Sequence, residues 1–211
     1  MSHPWLQIPI ADYEGHMALP EVAQAQLLGR LLHRSVTDFQ PRSLAILGVA
    51  GGNGLELIDP AIVRRIVAVD FNADYLAICS QRHAARFAQF EPVLHNLSQG
   101  PPAVKPVDLV YAGLLLEYLE PESFYTQLPA LLTPGGVFVA VLQLPSASLP
   151  EVTPSPYSSL ARLKPAFRFV EPAILHTSLR GLGFAVCNEE QIDLPGGKSF
   201  HYGTFRCPGE R

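Results

Sequence analysis

The stretch LAILGVAGGNGLELID, residues 44–59, joins an apolar run to a cluster of glycines. The run predicts a short buried strand over residues 44–49, since apolar segments of this length are typical of parallel-sheet strands. Four glycines fall within seven positions, namely Gly48, Gly51, Gly52 and Gly54. A loop without Cβ atoms can approach a ligand closely, and a helix expected from Gly54 to about Ile62 would add unpaired N–H groups. The stretch therefore predicts a ligand-binding loop.

Downstream of this loop, segments typical of strands alternate with segments typical of helices. Apolar runs predict further strands over residues 66–69, 92–97, 107–113 and 135–143. Helices are expected between them over residues 73–87 and 122–132. Because this alternation is typical of parallel sheets, the chain is predicted to be an α/β protein with helices on both faces of the sheet. Ligands in such folds bind at the carboxyl ends of the strands.

The whole chain, residues 1–211, is predicted to form a single domain with four parts. The parts are an N-terminal cap segment with a helix, a ligand-binding core, a lid-like loop rich in Pro and Ser, and a terminal helix with a β-hairpin. In order, they span residues 1–40, 41–143, 144–170 and 171–211. The cap helix is expected from Pro20 to about Val36, and the terminal helix from residue 171 to about residue 182.

Charge and composition argue against several classes of protein. A length of 211 residues suits one domain, and a net charge of -4 without a basic stripe disfavours nucleic-acid binding. The longest apolar run is far shorter than the roughly 20 residues of a membrane span. Three widely spaced cysteines and a start without a signal-peptide pattern favour a reduced, cytoplasmic protein. No metal site is expected, because the seven histidines show no i, i+4 pair and no Cys-x-x-Cys occurs.

The glycine loop does not fit the common nucleotide-binding patterns. No three glycines follow the Gly-x-Gly-x-x-Gly spacing of dinucleotide-binding proteins. The loop ends in Asn53-Gly54-Leu55, whereas a phosphate-binding loop ends in Gly-Lys-Ser or Gly-Lys-Thr. NAD, FAD and ATP are therefore disfavoured as ligands.

The loop resembles the first motif of class I S-adenosylmethionine-dependent methyltransferases, a strand followed by Asp/Glu-x-Gly-x-Gly-x-Gly. Gly48 stands at the acidic position and Ala50 at the first glycine, while Gly52 and Gly54 match the other two glycines. Gly48 therefore cannot supply the family's carboxylate. Two further segments, VDLVYAGLLLEYL and LPALLTPGGVFVAV, are very similar to the motifs around the family's fourth and fifth strands.

The resemblance covers residues 44–143 and implies both a fold and a cofactor. The fold is a Rossmann-like, doubly wound seven-stranded sheet of order 3-2-1-4-5-7-6 with the last strand antiparallel. The cofactor is S-adenosylmethionine, with S-adenosylhomocysteine as its product. The residues implied to bind it are Gly48, Ala50, Gly51, Gly52, Asn53, Gly54, Asp70, Phe71, Asn96, Leu97, Gly113 and Leu114.

Some of these positions carry a specific implied role. Asp70 ends the second predicted strand, where the family's acidic residue accepts hydrogen bonds from both ribose hydroxyls; the alternative is a solvated or capping Asp at a strand end. Asn96 aligns with the residue that reads adenine, and its alternative is a turn-forming Asn. Gly113 and Leu114 are implied to line the methionine part of the cofactor through their backbone.

Four residues are candidates for catalysis, namely Tyr13, His16, Glu117 and Tyr118. Glu117 and Tyr118 align with a Leu-Glu-His segment that relatives place near the cofactor; the alternative is a surface position at a helix start. Tyr13 and His16 lie in the leader PIADYEGHMALP, which we hypothesise closes over the cofactor. Alternatively, Trp5, Tyr13 and Met17 only pack the leader onto the sheet.

The predicted function is methyl transfer to a small-molecule acceptor, because the motifs of nucleic-acid methyltransferases and a basic face are both missing. Two alternatives stay open. An aminopropyltransferase would need acidic side chains such as Glu117 and Glu120 to bind a polyamine. A protein that binds S-adenosylmethionine without catalysis is allowed by the missing carboxylate at Gly48. The acceptor atom, the use of a general base and the oligomeric state are not fixed by the sequence.

Overall fold

The computed structural model describes residues 3–209, which form a seven-stranded sheet with helices on both faces. The strands are β1 (Ser43–Leu47), β2 (Arg65–Asp70), β3 (Gln89–Leu94), β4 (Val107–Gly113), β5 (Leu132–Gln143), β6 (Ala185–Asp193) and β7 (Ser199–Arg206). Their order is β3-β2-β1-β4-β5-β7-β6, in which β1 to β5 run parallel and β7 is antiparallel to both neighbours. The α/β class and the strand order implied by the resemblance are confirmed. Residues 1–2 and 210–211 of the predicted domain lie outside the described residues.

Six α-helices occur among the described residues. They are α1 (Ile10–Ala18), α2 (Gln24–Phe39), α3 (Ala73–His83), α4 (Pro121–Tyr125), α5 (Leu128–Leu131) and α6 (Pro172–Gly181). Short 3-10 helices span Pro4–Gln7, Leu55–Leu57, Ala84–Arg86, Leu97–Gln99, Leu116–Tyr118 and Ser158–Ala166. Within residues 3–209, no helix combines the length and the apolar character that crossing a membrane requires.

Both faces of the central strands are buried, as expected for parallel strands covered by helices, whereas the edge strands β3 and β6 are largely exposed. Along β1, Leu44 and Ile46 pack with apolar residues of α2 and α3. Ala45 and Leu47 point to the other face and pack with apolar residues of α4, α5 and α6. The alternation of side chains along each strand thus supplies two apolar layers, which hold the carboxyl ends of the strands in a fixed row.

The prediction of a helix over residues 54–62 is wrong. A single 3-10 turn, Leu55–Leu57, follows the glycine loop instead. Asp59 Oδ1 accepts the Ala61 N–H at 2.8 Å in a side-chain-stabilised turn. Because a residue that precedes proline avoids helical backbone, Pro60 also stops a helix at this point.

The Arg86 side chain satisfies the backbone that would otherwise need this helix. Its guanidinium donates hydrogen bonds to the carbonyls of Leu55, Glu56 and Ile58. These carbonyls therefore have partners without a regular helix. The glycine loop is followed by a turn fastened to the end of α3, and the expected row of free helix N–H groups is absent from this part of the described chain.

The N-terminal cap segment contains two helices where one was expected. The helix start expected at Pro20 is wrong, because α2 begins at Gln24 and Pro20 lies in the turn after α1. Ala23 has a left-handed backbone with φ of 49°, which interrupts the helical path directly before α2. The N–H groups of Val22 and Ala23 donate to the Leu19 carbonyl instead.

Two boundaries in the core also differ from expectation. The third strand spans Gln89–Leu94 rather than residues 92–97. The helical segment expected over residues 122–132 is divided into α4 and α5, because Pro129 has no N–H to donate to the Tyr125 carbonyl. The other predicted strands and the helices α3 and α6 are confirmed.

Asn72 joins α3 to the sheet and allows a test of stability. Its Oδ1 accepts the N–H groups of Asp74 and Tyr75, and the residue is 6 % exposed. We expect Asn72→Ala to lower the free energy of unfolding by about 1–2 kcal/mol in urea denaturation, because α3 loses its cap. Asn72→Ser keeps a capping oxygen and should recover most of the loss. Equal stability of the two variants would contradict the capping role.

Candidate active site

Three adjoining cavities lie at the carboxyl ends of the parallel strands, and Tyr13 borders all of them. The wall of the Asp70 cavity includes Gly48, Ala50, Asp70, Phe71, Asn96 and Leu114. The wall of the glycine-loop cavity includes Glu14, Gly48, Gly51, Gly52, Asn53 and Arg82. The wall of the Lys198 cavity includes His16, Gln24, Tyr118, Gln143, Leu160 and Lys198. The Asp70 cavity is partly enclosed and opens to solvent on one side.

The Asp70 carboxylate fastens the glycine loop to the end of β2. Its Oδ2 accepts the Ala50 N–H and its Oδ1 accepts the Asn72 N–H, both at 2.9 Å. Burial raises the pKa of this carboxyl, and the backbone hydrogen bonds oppose that effect. Asp70 therefore has a structural role at the strand end, where it is buried rather than solvated, while α3 itself is capped by Asn72. Since each carboxylate oxygen has a second lone pair, the ribose contact stays a prediction that the geometry allows.

Left-handed backbone is concentrated in the wall of the Asp70 cavity. The φ angle is 66° at Gly48, 47° at Ala50 and 53° at Leu114. For Ala50 and Leu114 this conformation costs on the order of 1–3 kcal/mol each, so the surroundings must hold it in place. The Ala50 N–H is held by Asp70, and the Leu114 N–H donates to the Val141 carbonyl at 2.9 Å. Strained backbone of this kind concentrates at functional sites.

The structure brings most of the residues implied to bind the cofactor together. The Asp70 cavity is lined by Gly48, Ala50, Asp70, Phe71, Asn96, Leu97, Gly113 and Leu114. The glycine-loop cavity is lined by Gly51, Gly52 and Asn53. Gly54 is not in the wall of either cavity; a Cβ there would lie 2.9 Å from Gly29 Cα. The third glycine of the motif therefore permits close packing of α2 on the loop.

Asn96 follows β3 and borders the Asp70 cavity. Its Oδ1 accepts the Ser98 N–H at 3.0 Å and so caps the short helix Leu97–Gln99. The turn-forming role weighed for this residue is therefore observed. Because the residue also lines the cavity, the adenine contact stays a prediction compatible with that role.

Glu117 lies behind the site, against the end of β5. It is completely buried, and its Oε1 accepts the Gln143 N–H at 2.8 Å. Among the described residues its Oε2 has no hydrogen-bond partner, and Glu117 is not in the wall of the three cavities. Burial raises its pKa to about 7. The surface position weighed as the alternative is wrong, since the side chain turns into the interior, and the geometry favours no direct contact of Glu117 with a ligand.

Trp5, Tyr13 and Tyr118 form an aromatic partition between the Asp70 and Lys198 cavities, and all three border both cavities. The ring of Trp5 is 5.4 Å from that of Tyr13 and 5.2 Å from that of Tyr118, in edge-to-face geometry. Burial raises the pKa of both tyrosines, so both hydroxyls are neutral. The packing role weighed for Trp5 is observed. Tyr13 lies in the wall of the Asp70 cavity, which is the position that the hypothesis of a closing leader requires.

The leader is fixed over the end of β2 by hydrogen bonds from α3 and its cap. The Tyr75 hydroxyl donates to the Ile8 carbonyl at 2.8 Å. Asn72 Nδ2 donates to the Trp5 carbonyl at 3.2 Å. These bonds hold the leader backbone beside Asp70, so the leader closes one side of the cavity.

His16 joins α1 to the lid-like segment and borders the Lys198 cavity. Its Nδ1 lies 2.9 Å from Ser155 Oγ. Burial, and to a smaller extent the charge of Lys198, lower the pKa of His16. The imidazole is therefore neutral at neutral pH.

Sequence reasoning missed a carboxylate that lies on the glycine loop. Glu14 of α1 pairs with Arg82 of α3, with Oε2 3.1 Å from Nη2, and Arg82 Nη1 donates to the Gly51 carbonyl at 3.3 Å. A Cβ at Gly51 would collide with this ion pair. Gly48 cannot supply the family's carboxylate, and Glu14 brings one to the same loop from another element. No local pattern indicates this, because it depends on how α1 crosses the loop.

Sequence spacing also did not reveal a group of metal-ligand side chains on α6, β6 and β7. One ligand atom from each of His176, Glu189 and His201 lies within 4.8 Å of the others. His201 Nε2 is 3.3 Å from Glu189 Oε1, and His176 contacts the same oxygen. Two histidines and a carboxylate are a ligand set that zinc accepts. The group is not part of the walls of the three cavities, so it is separate from the candidate site.

The burial of Glu117 predicts a pH-dependent stability. Its pKa rises from 4.5 to about 7 on folding, so the folded state holds the proton more tightly than the unfolded state. The contribution of this group is fully present below about pH 4 and is lost as the pH rises to about 7, a change of about 3 kcal/mol.

Glu117→Gln should remove this slope, because the amide does not titrate. We expect the stability of the wild type relative to this variant to fall by about 3 kcal/mol from about pH 4 to about pH 8 in urea denaturation. Glu120→Gln is the control, since Glu120 is exposed and pairs with Arg168. Parallel pH profiles of the wild type and Glu117→Gln would show that Glu117 does not titrate in this way.

Residues 46–140 match the sequence family described as a methyltransferase domain. No curated protein matches the chain by sequence. The fold matches 1095 chains of solved structures, so the fold alone does not select a reaction.

Three of the similar structures illustrate the different reactions that this fold supports. The N-methyltransferase NodS from Bradyrhizobium japonicum WM9, in complex with S-adenosyl-L-homocysteine, is 17 % identical over 88 % of this chain and 87 % of its own, with a TM-score of 0.65. The CcbJ methyltransferase from Streptomyces caelestis is 19 % identical over 85 % and 94 %, with a TM-score of 0.64. The cyclase SpnF is 15 % identical over 89 % and 82 %, with a TM-score of 0.68. Over residues 46–140 the chain therefore matches a methyltransferase domain, and its fold is that of solved methyltransferase structures.

Proposed function

We propose that the protein binds S-adenosylmethionine and transfers its methyl group to a small-molecule acceptor. The observation that carries this proposal is the position of Tyr13 at the junction of the three cavities. Two cavities contain the residues implied to bind the cofactor, and the Lys198 cavity adjoins them at the aromatic partition. Methyl transfer requires two ligands held in contact, and adjoining cavities provide that arrangement.

The residues present fit the chemical groups of the cofactor. Asp70 has carboxylate oxygens for ribose hydroxyls, and Asn96 has an amide for the adenine edge. The glycine loop lets backbone approach the ligand, and Glu14 places a carboxylate beside it for the ammonium of the methionine part. This set of donors and acceptors supports S-adenosylmethionine as the cofactor.

The protein itself contributes by positioning the cofactor and the acceptor and by keeping water away from the contact between them. When bound, S-adenosylmethionine supplies a methyl group on a positively charged sulfur, and in the transfer an acceptor displaces the sulfur from the methyl carbon in line. The half-buried rings of Trp5, Tyr13 and Tyr118 shield the contact between the cavities from water, and ring faces stabilise a cation. The neutral imidazole of His16 can take a proton from an acceptor that carries one.

The closure of the Lys198 cavity supports a small acceptor. Ser159 donates its hydroxyl to Asp12 Oδ2 at 2.6 Å, which joins the lid-like segment to α1. An apolar cluster seals the same contact, formed by Ile8, Val152, Leu160 and Leu163. A cavity covered by two segments of the chain suits a small molecule better than a polymer, and the net charge of -4 also disfavours nucleic acid.

The positions of two glutamates disfavour an aminopropyltransferase. Glu117 faces the interior, and Glu120 is exposed and pairs with Arg168 at 2.6 Å. Neither offers a carboxylate to a polyamine in the acceptor cavity, and the ammonium of Lys198 in its wall would repel one.

Calorimetric titration with S-adenosylhomocysteine tests the cofactor site. We expect micromolar binding by the wild type and at least tenfold weaker binding by Asp70→Ala, about 1.4 kcal/mol, because the ribose loses its acceptor and the loop its anchor. Asp74→Ala is the matched control, since Asp74 is an exposed carboxylate at the start of α3. NAD and ATP should give no heat. Absence of binding by the folded wild type would refute the proposal.

Transfer of a labelled methyl group to a panel of small molecules tests the catalytic part. We expect product with at least one acceptor, and less product with the Asp70→Ala variant at a cofactor concentration below the dissociation constant of that variant. Cofactor binding without transfer to any acceptor would favour a protein that binds S-adenosylmethionine without catalysis.

Tyr13 predicts a preference for the charged form of the cofactor. A ring face attracts a sulfonium but not a neutral thioether, by about 0.5–2 kcal/mol. We expect Tyr13→Leu to lower the ratio of the affinities for S-adenosylmethionine and S-adenosylhomocysteine by about 2- to 30-fold. Tyr13→Phe keeps the ring and should keep the ratio, as measured by calorimetry. An unchanged ratio in Tyr13→Leu would exclude this role.

A further inference from the structure

Lys198, in the turn before β7, places a buried cation in the wall of the Lys198 cavity. The residue is 5 % exposed. Its Nζ donates to Gln143 Oε1 at 3.1 Å and to the Glu151 carbonyl at 2.7 Å, and both acceptors are uncharged. Within residues 3–209, no carboxylate oxygen lies within 4.0 Å of this ammonium. A buried cation without a counter-ion is costly, so an anion in this cavity would bind favourably.

Neither hydrogen-bond acceptor depends on Lys198. Gln143 Oε1 also accepts from Gln24 Nε2 at 3.4 Å, and the Glu151 carbonyl also accepts from Gln143 Nε2 at 2.9 Å. Removal of the ammonium would therefore leave both oxygens with a partner. An ammonium has three N–H groups, and these two bonds use two of them. The arrangement fits a ligand-binding lysine better than a structural one.

Burial and one neighbouring carboxylate, that of Glu151, set the pKa of Lys198. Burial lowers the pKa of Lys198 to about 8, and the Glu151 carboxylate opposes this to a smaller extent. The lysine charge in turn contributes to the lowered pKa of His16 across the cavity. At neutral pH the ammonium is therefore the main positive group facing this space.

The cavity has a polar end and an apolar body. Gln24, Gln143, Lys198 and the exposed Glu151 form the polar end. The body is lined by Met17, Val152, Leu160, Leu163 and Phe167. It continues to the aromatic partition, beyond which lies the Asp70 cavity, whereas Lys198 borders neither of the two cavities assigned to the cofactor. A ligand that matches this space has an anionic head and an apolar body that points toward the partition.

We propose that the Lys198 cavity binds the carboxylate of a small acid with an apolar body, and that this acid is the methyl acceptor. The second part rests on the proposed function, and the first does not. Because the head lies at Lys198, the methylated atom is at the opposite end of the acid. A hydroxyl or amine there forms the bond to the methyl carbon as the carbon–sulfur bond breaks and its electrons stay on sulfur. The proton of that group passes to His16 or to water.

Trp5 provides a specific probe of this cavity. It is the only tryptophan of the chain and it borders the Lys198 cavity. We would titrate the protein with benzoate, phenylacetate and cinnamate, and with the corresponding amides, while following tryptophan fluorescence with and without S-adenosylhomocysteine. Each acid and its amide share a shape and differ in charge. Lys198→Met removes the charge, and Lys105→Met, at an exposed lysine before β4, is the matched control.

At least one acid should bind the wild type and Lys105→Met at least tenfold more tightly than its amide. Lys198→Met should bind acid and amide equally, while its calorimetric affinity for S-adenosylhomocysteine stays that of the wild type. Equal binding of acids and amides by the wild type would overturn the carboxylate site and leave the proposed function standing. Preference for acids without any binding of S-adenosylhomocysteine would instead support the carboxylate site and overturn its role as acceptor site.

Thermal denaturation separates a binding role of Lys198 from a structural one. Without ligand, Lys198→Met should melt at the wild-type temperature or above it, because a buried unpaired charge is removed. Addition of the preferred acid should raise the melting temperature of the wild type and not that of Lys198→Met. A melting temperature of Lys198→Met several degrees below the wild type, with acid preference unchanged, would show that the lysine is structural.

Discussion

Two hydrogen bonds accepted by Asp70, from the N–H groups of Ala50 and Asn72, connect the elements from which the candidate site is built. Ala50 belongs to the loop after β1, Asp70 ends β2, and Asn72 caps α3. One buried carboxylate therefore fixes a loop, a strand and a helix relative to one another. The left-handed backbone of Ala50 is maintained by the same bond, so the shape of the glycine loop depends on a residue of the neighbouring strand.

The N-terminal segment that covers the site is held by the same contact between Asp70 and Asn72. Asn72, which Asp70 orients, also donates to the Trp5 carbonyl, and Tyr75 in the first turn of α3 donates to Ile8. The position of the leader therefore depends on the contact between β2 and α3. Through these bonds the N-terminal segment covers part of the edge at which the parallel strands end.

The features that could be predicted from the sequence are those whose signal is local. Strand periodicity and the glycine cluster indicated the sheet and the loop. Asp70 was found because it follows an apolar run at the position where the resembled family has its acidic residue. Glu14 and Lys198 were missed, because each reaches the site through the path of a distant segment. The helix expected after Gly54 failed for a local reason, since the turn chemistry of Asp59 overrode the family pattern. Position in the fold thus explains the two missed residues, whereas residue type explains the failed helix.

The contact between Gly29 and Gly54 distinguishes the ways in which the two helices of the N-terminal cap segment meet the glycine loop. With no side chains between the two backbones, α2 lies directly on the loop. In contrast, α1 meets the loop through the ion pair of Glu14 with Arg82, and the lid-like segment through His16. One side of the loop is therefore covered by backbone and the other by polar side chains. A side chain at position 54 would separate α2 from the loop, because its Cβ would lie 2.9 Å from Gly29 Cα.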